Sequence, residues 1–389
     1  MFFLPRNPSA YQNTSSLRIA IYISMFLSLA PASPMIVSPV RTLAWSQAIT
    51  RHRPTNISIA IPALQSLQPK TQFIYRRGFS VSAMAQRNVL VVGATGKQGG
   101  SVVDELLKLP KSDSPLHILA LTRNVESGHA KSLVEKNKGI VELVQGDSTQ
   151  PEPIFANKPK GSIDELFIVT VPGKTDEEAQ AIPLIDAAVE HGVKHIVFSS
   201  VDRGGEKKSW ENPTNVKHFW QKHNIEIHLR DKAQKEGDKF TWTILRPAAF
   251  LDNLNPGFFC SVMTAMWKSR LSPETKLQMV STRDIGRFAA LALNDPTKWA
   301  GRAISLAGDE LTLTETQEIF KQVEGKDLPQ TFSLVGSAMM FMVKEMGAMF
   351  DFFEKEGYGA DIGECKKEVP ELQDFATWLK EESKWKDEK

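Results

Sequence analysis

The stretch RNVLVVGATGKQGG, Arg87–Gly100, sets four glycines within eight residues between an apolar run and a segment with helical patterning. A glycine loop between a strand and a helix has a physical task. One glycine permits the tight turn, a second lets the backbone approach a pyrophosphate, and a third lets helix and strand pack closely. The helix N-terminus then offers unpaired N–H groups and the positive end of its dipole. Gly93, Gly96 and Gly99 give GxxGxxG rather than GxGxxG. A P-loop is excluded, because Lys97 is followed by Gln98 instead of Ser or Thr. The loop follows a predicted strand and opens a predicted helix, so it reads as a dinucleotide site.

The chain continues in the same alternation. NVLVVGA, LHILALT, IVELVQG, DELFIVTV, HIVFSSV and FTWTILR read as strands, separated by helices that begin near Gln98, Val125, Thr175 and Asn215. Short apolar runs alternating with helical patterns predict an α/β fold, a doubly wound parallel sheet. Thr175 with Glu178 reads as a capping box. Beyond Arg246 the pattern changes. RDIGRFAALAL (283–293) predicts a helix, GRAISLAG a strand, and Thr314 with Gln317 another capped helix. These later elements predict a smaller C-terminal α/β subdomain over about 247–380, after a core over about 88–246.

The dinucleotide is read from the end of the second strand. An NAD site places an acidic residue there for the ribose hydroxyls. This chain has Thr122, Arg123 and Asn124. A guanidinium binds a 2′-phosphate through two hydrogen bonds, whereas a carboxylate repels it. Lys97 adds a second positive charge. NADP(H) is the expected cofactor.

Residues 1–84 contain seven Arg and one Lys, and the first acidic residue is Asp104. Removing those eight from the 47 basic residues leaves 39 against 45 acidic ones in the body 85–389. That mildly acidic body argues against direct nucleic-acid binding. An Arg-rich, Ser-rich, acid-free leader has the composition of a targeting segment and predicts a disordered, mitochondrial address. Two alternatives stay open: an internal start at Met84 giving a cytoplasmic protein, and a secretory reading of IAIYISMFLSLA (19–30). Cys260 and Cys365 form no CxxC, and none of the eight histidines forms an HExxH motif, so neither a disulfide framework nor a metal is expected.

The glycine loop, LTRN, QGD (145–147), VTVPG (169–173), HIVFSSV, HFWQK (218–222), ILRPAAFLDN and STRDIGRF together resemble the NmrA-like family, a branch of atypical short-chain dehydrogenases. The resemblance covers roughly 88–380. It implies a Rossmann domain that binds NADP, with a smaller lobe forming a cleft, in a family of redox-sensing regulators and NAD(P)H reductases. By position it implies Gly93, Thr95, Gly96, Gln98 and Gly99 around the pyrophosphate, and Arg123 at the 2′-phosphate. It further implies Asp147 by the adenine, and Thr170 and Val171 by the nicotinamide ribose.

Short-chain dehydrogenases use YxxxK on one helix face, with Tyr as proton donor. Here His218 stands in the Tyr position and Lys222 is retained. None of the four tyrosines lies between Tyr75 and Tyr358. Lys222 is expected to hold the ribose, and His218 is a candidate donor set against a structural helix histidine. Ser199 and Ser200 occupy the usual place of a catalytic serine. The run MMFMVKEMGAMFDFF places Met339, Met342, Val343, Met346, Met349, Phe350 and Phe353 at helical spacing. It reads as a core or lid helix, or as a surface for an apolar substrate or protein partner. Redox sensing or regulatory dinucleotide binding is the leading expectation. An NADPH-dependent oxidoreductase acting on an apolar carbonyl, quinone or imine-like substrate is the alternative.

Overall fold

Alternate residues of the predicted strands bury against opposite helical layers in the computed structural model, which describes residues 86–110, 114–173, 175–330 and 344–388. The leader lies outside the described residues. The strands are β1 (Arg87–Val92), β2 (Leu116–Thr122), β3 (Val141–Gln145), β4 (Glu165–Val169), β5 (His195–Ser199), β6 (Thr241–Pro247), β7 (Ala249–Phe250), β8 (Leu277–Val280), β9 (Arg302–Leu306) and β10 (Asp309–Leu311). The helices used below are α1 (Lys97–Leu106), α2 (Gly128–Lys136), α3 (Glu152–Phe155), α4 (Glu177–Glu190), α5 (Lys217–Glu236), α6 (Phe258–Arg270), α7 (Thr282–Asn294), α8 (Pro296–Trp299), α9 (Leu313–Glu324) and α10 (Lys344–Lys355).

Seven strands form one parallel sheet in the order β3-β2-β1-β4-β5-β6-β9. The order reverses between β1 and β4, the switch point at which doubly wound sheets open a crevice for ligands. Val89, Val91, Phe167, Val197 and Leu245 pack with Val102 and Val103 of α1 and with Ile285 and Phe288 of α7. Their neighbours Leu90, Val92, Leu166, Ile168, Ile196, Phe198 and Ile244 pack with Leu184 and Ile185 of α4 and Ile225 and Leu229 of α5. A strand buried on both faces needs an unbroken apolar run, as these sequences supply. Each such side chain contributes about 1.5–3 kcal/mol through burial.

Three details differ from the sequence expectation. The strand within GRAISLAG does not belong to a later lobe: β9 pairs in parallel with β6 and forms an edge of the main sheet. Likewise α7 lies on the Rossmann layer beside α1, tied by Arg283 to Glu105 at 3.1 Å. The smaller sheet has the order β10-β8-β7. Both caps also shift. Asp176, not Thr175, caps α4 by accepting from the Glu178 N–H at 2.9 Å. Thr312 and Glu315, not Thr314 and Gln317, form the capping box of α9.

Met339, Met342 and Val343 lie outside the described residues. In α10, Phe350, Phe352 and Phe353 are buried. Phe352 meets Phe219 of α5 edge-on at 5.4 Å, which agrees with a core helix for this part.

Candidate functional site

The glycine loop leaves β1 at Gly93, whose φ of +67° favours glycine. The Gly93 carbonyl accepts from the Gly96 N–H at 2.8 Å, closing the turn. A Cβ on Gly99 would lie 2.3 Å from that same carbonyl oxygen, so only glycine lets α1 sit this close to the strand end. Gly96 is the N-cap of α1, with no side-chain cap and no acidic residue in the first turn. The helix N-terminus therefore faces the crevice with no carboxylate competing for its N–H groups. That is the donor arrangement an anionic pyrophosphate requires.

Thr95, Gly96 and Lys97 are exposed along this loop, and Arg123 and Asn124 are exposed just past β2. Asp147 follows β3, and its carboxylate accepts from the Thr149 N–H and hydroxyl at 2.9 and 2.8 Å. These residues follow β1, β2 and β3 at their carboxyl ends. They belong to the half of the sheet that serves the first nucleotide of a dinucleotide.

The other half is polar and tightly bonded. Thr170 follows β4 directly and is buried; its hydroxyl donates to Glu177 and accepts from the Lys222 ammonium at 2.6 Å. Lys222 also meets Glu177 Oε2 at 2.7 Å, and Glu177 is fully buried. Both bonds to Glu177 reach Oε2; its Oε1 is buried and has no hydrogen-bond partner. Val171 stands 58% exposed beside them, its backbone held at both N–H and carbonyl by Gln180 at 3.0 and 2.9 Å. The structure thus brings Thr170 and Lys222 together. His218, one turn earlier on α5, is half-buried with its ring edge-on to Phe219 at 4.6 Å.

Ser199 and Ser200 are both buried. The Ser199 hydroxyl donates to Gln98 Oε1 at 2.6 Å, linking β5 to the glycine loop. The Ser200 hydroxyl donates to Glu226. Glu226 is fully buried between Arg203 and Arg246, at 2.7 and 2.8 Å. Burial alone would raise its carboxyl, but the two guanidinium groups hold it below the ordinary range. Asp202 accepts from the N–H groups of Gly205 at 3.0 Å and Gly359 at 2.6 Å, and from the Ser305 hydroxyl at 2.5 Å.

Sequence reasoning missed Glu177, Gln180, Arg203, Glu226 and Arg246. Glu177 carried one signal, an acidic residue in the first helical turn, which also suits a solvated helix start. The four others carried none, since the letter of a charged or amide side chain does not report its burial.

The chain is 27% identical over 303 residues to an NmrA-like family domain-containing protein of Dictyostelium discoideum, covering 76% of this chain and 97% of that one. It is 33% identical over 175 residues to an NmrA-like family domain-containing oxidoreductase of Cladobotryum, covering 42% and 47%. Among solved structures it resembles NmrA, a negative transcriptional regulator, in complex with NAD (TM-score 0.59, 18% identity, 78% and 97% covered). It also resembles Citrobacter triphenylmethane reductase complexed with NADP(H) (TM-score 0.56, 22% identity, 76% and 99% covered). The sequence profile of the NmrA-like family runs from residue 85 to 379, through the glycine loop, the Thr170–Glu177–Lys222 cluster and β9 alike; the chain is a member of the NmrA-like family.

Proposed function

We propose that this protein binds NADP(H) and uses the dinucleotide to sense or regulate rather than to reduce a substrate. The glycine loop and uncapped α1 suit a pyrophosphate, and Arg123 suits a 2′-phosphate. One observation carries the sensing reading: the hydroxyls that a dehydrogenase would turn toward substrate are turned inward. Ser199 is bonded to Gln98 and Ser200 to Glu226, and no tyrosine stands on α5.

The decisive experiment incubates the purified protein with NADPH and a panel of quinones, aldehydes and dyes while following NADPH absorbance. No turnover, with NADPH altering the protease sensitivity of residues 337–356, is the expected result. Oxidation at ~1 per second or faster would defeat it.

A second reading, NADPH-dependent reduction of an apolar carbonyl, quinone or imine-like compound, rests on the placement of Lys222. Its ammonium meets Thr170 at the carboxyl end of β4, and hydride transfer itself needs only a positioned cofactor. Several relatives are named as oxidoreductases. If turnover occurs, His218→Ala tests whether that imidazole supplies the proton. The acid-free leader is proposed as a mitochondrial address, tested by sequencing the N-terminus of the native protein.

A further inference from the structure

We propose that Ser199 is a positioning residue for the dinucleotide: it orients the Gln98 amide so that the Nε2 donor is kept for the ligand at the switch point. This rests on the NADP(H)-binding reading above and gives a task to a serine that the reading only turned away from substrate. Ser199, the last residue of β5, and Ser200 after it donate to opposite layers, as neighbours on a strand do. Ser200 reaches Glu226 of α5, and Ser199 reaches Gln98 of α1.

The strand register shows what the Gln98 bond crosses. Val91, Phe167 and Val197 stand in one row across β1, β4 and β5, and two residues on, Ser199 is level with Val169. Gly93 lies at that level too, since a Cβ there would meet Val169 Cγ1 at 3.1 Å. β1 and β5 are two strand spacings apart, roughly 10 Å, with β4 between them. Gln98 stands in the first turn of α1, which follows β1, and its side chain ends on Ser199 of β5. It therefore spans the switch point between β1 and β4, from the same turn that carries the unpaired N–H groups.

The two ends of an amide have opposite tasks. Gln98 Oε1 takes the Ser199 proton at 2.6 Å, and among the described residues nothing accepts from Nε2. Turned over, the amide would set a carbonyl oxygen in place of that donor and repel an anion. Ser199 has one proton to give, and at 1% exposure water does not compete for it. A buried hydroxyl at this place thus fixes which end of Gln98 a dinucleotide meets.

The test is a double-mutant cycle on the full-length protein, read by calorimetry with NADPH and with adenosine 2′,5′-bisphosphate, which lacks the second nucleotide. Ser199→Ala should weaken NADPH roughly threefold to tenfold and leave the bisphosphate as in the parent. Gln98→Met should weaken NADPH at least as much. Because Ser199 acts through Gln98, adding Ser199→Ala in the Gln98→Met background should cost nothing further. Gln98→Glu keeps an acceptor for Ser199 but replaces Nε2 with an anionic oxygen, so it should bind NADPH more weakly than Gln98→Met does. A merely structural serine would weaken both ligands together, or add its loss in full to that of Gln98→Met; either result overturns the proposal, as does NADPH affinity unchanged by Ser199→Ala. If Ser199→Ala fails to fold by circular dichroism, the two Gln98 variants decide, and equal NADPH affinities for them overturn it. An unmodified protein that does not bind NADPH would remove the cofactor reading itself, and this inference with it.

Discussion

Glu165 and His195 stand opposite one another in register on β4 and β5, with their usual order of protonation reversed. Burial pushes the Glu165 carboxyl up to about 7, even though Arg87 at 3.0 Å pulls it back. Burial pushes the His195 imidazole down to about 4, between the hydroxyls of Thr241 and Thr243. Between these values both groups are uncharged in the folded protein.

The pair therefore makes opposing contributions to the pH dependence of stability. As pH falls from 6.5 toward 4, the unfolded chain protonates its histidine while the folded protein does not, and stability is lost. As pH rises from 4.5 toward 7, the unfolded chain ionises its glutamate first, and stability is again lost. Relative to the parent, His195→Gln should lose stability as pH rises through that upper window. Glu165→Gln should lose it as pH falls through the lower one. Each change should be on the order of 3 kcal/mol across its window. Urea denaturation at intervals from pH 4.5 to 7.5 measures both slopes, and parallel curves for all three proteins would refute the assignment.

Gly99→Ala places a methyl 2.3 Å from the Gly93 carbonyl oxygen. The α1 helix must lift from the strand end, so a loss of about 1–3 kcal/mol in stability is expected, together with weakened NADPH binding. Gly100→Ala is the matched control, since its nearest neighbour is the Ala94 carbonyl oxygen at 3.4 Å. Urea denaturation and NADPH titration of both variants should separate them clearly.

Arg123→Ser should weaken NADPH binding roughly tenfold by removing a charge-assisted contact. NADH lacks the 2′-phosphate and should bind the variant as it binds the parent. Calorimetry with both cofactors decides the point; equal loss for the two would show that Arg123 does not read the phosphate.

Glu226→Ala strands two buried guanidinium groups, those of Arg203 and Arg246. Breaking a buried charge network by removing its shared partner costs about 3–5 kcal/mol. A urea midpoint close to that of the parent would show that the arginines find other acceptors.

The strands of the main sheet were legible because burial on both faces writes an unbroken apolar run. LHILALT and the observed Leu116–Thr122 coincide residue for residue. The partner of β9 was not legible, since a parallel neighbour is chosen by tertiary packing and its sequence carries no mark of the choice. The caps slipped by one or two positions because a second capping residue stands close by each time, Asp176 beside Thr175 and Thr312 two before Thr314. In the site, the glycine loop was readable through the steric demand at Gly99, which no other residue meets. Glu177 was not, because an acidic first turn has the same letters whether it faces water or a buried lysine.

The position of β9 has a consequence for how the chain is made. Six strands of the sheet leave the ribosome before Arg302–Leu306 does, and until then β6 keeps a bare edge of unpaired N–H and carbonyl groups. Asp202 is likewise short of its Ser305 and Gly359 partners until the chain has been translated past residue 359. The nascent body thus carries an open strand edge and an unsatisfied carboxylate through much of its synthesis, the kind of surface that pairs with other chains. Closure of the sheet comes late, only once Arg302–Leu306 has been translated.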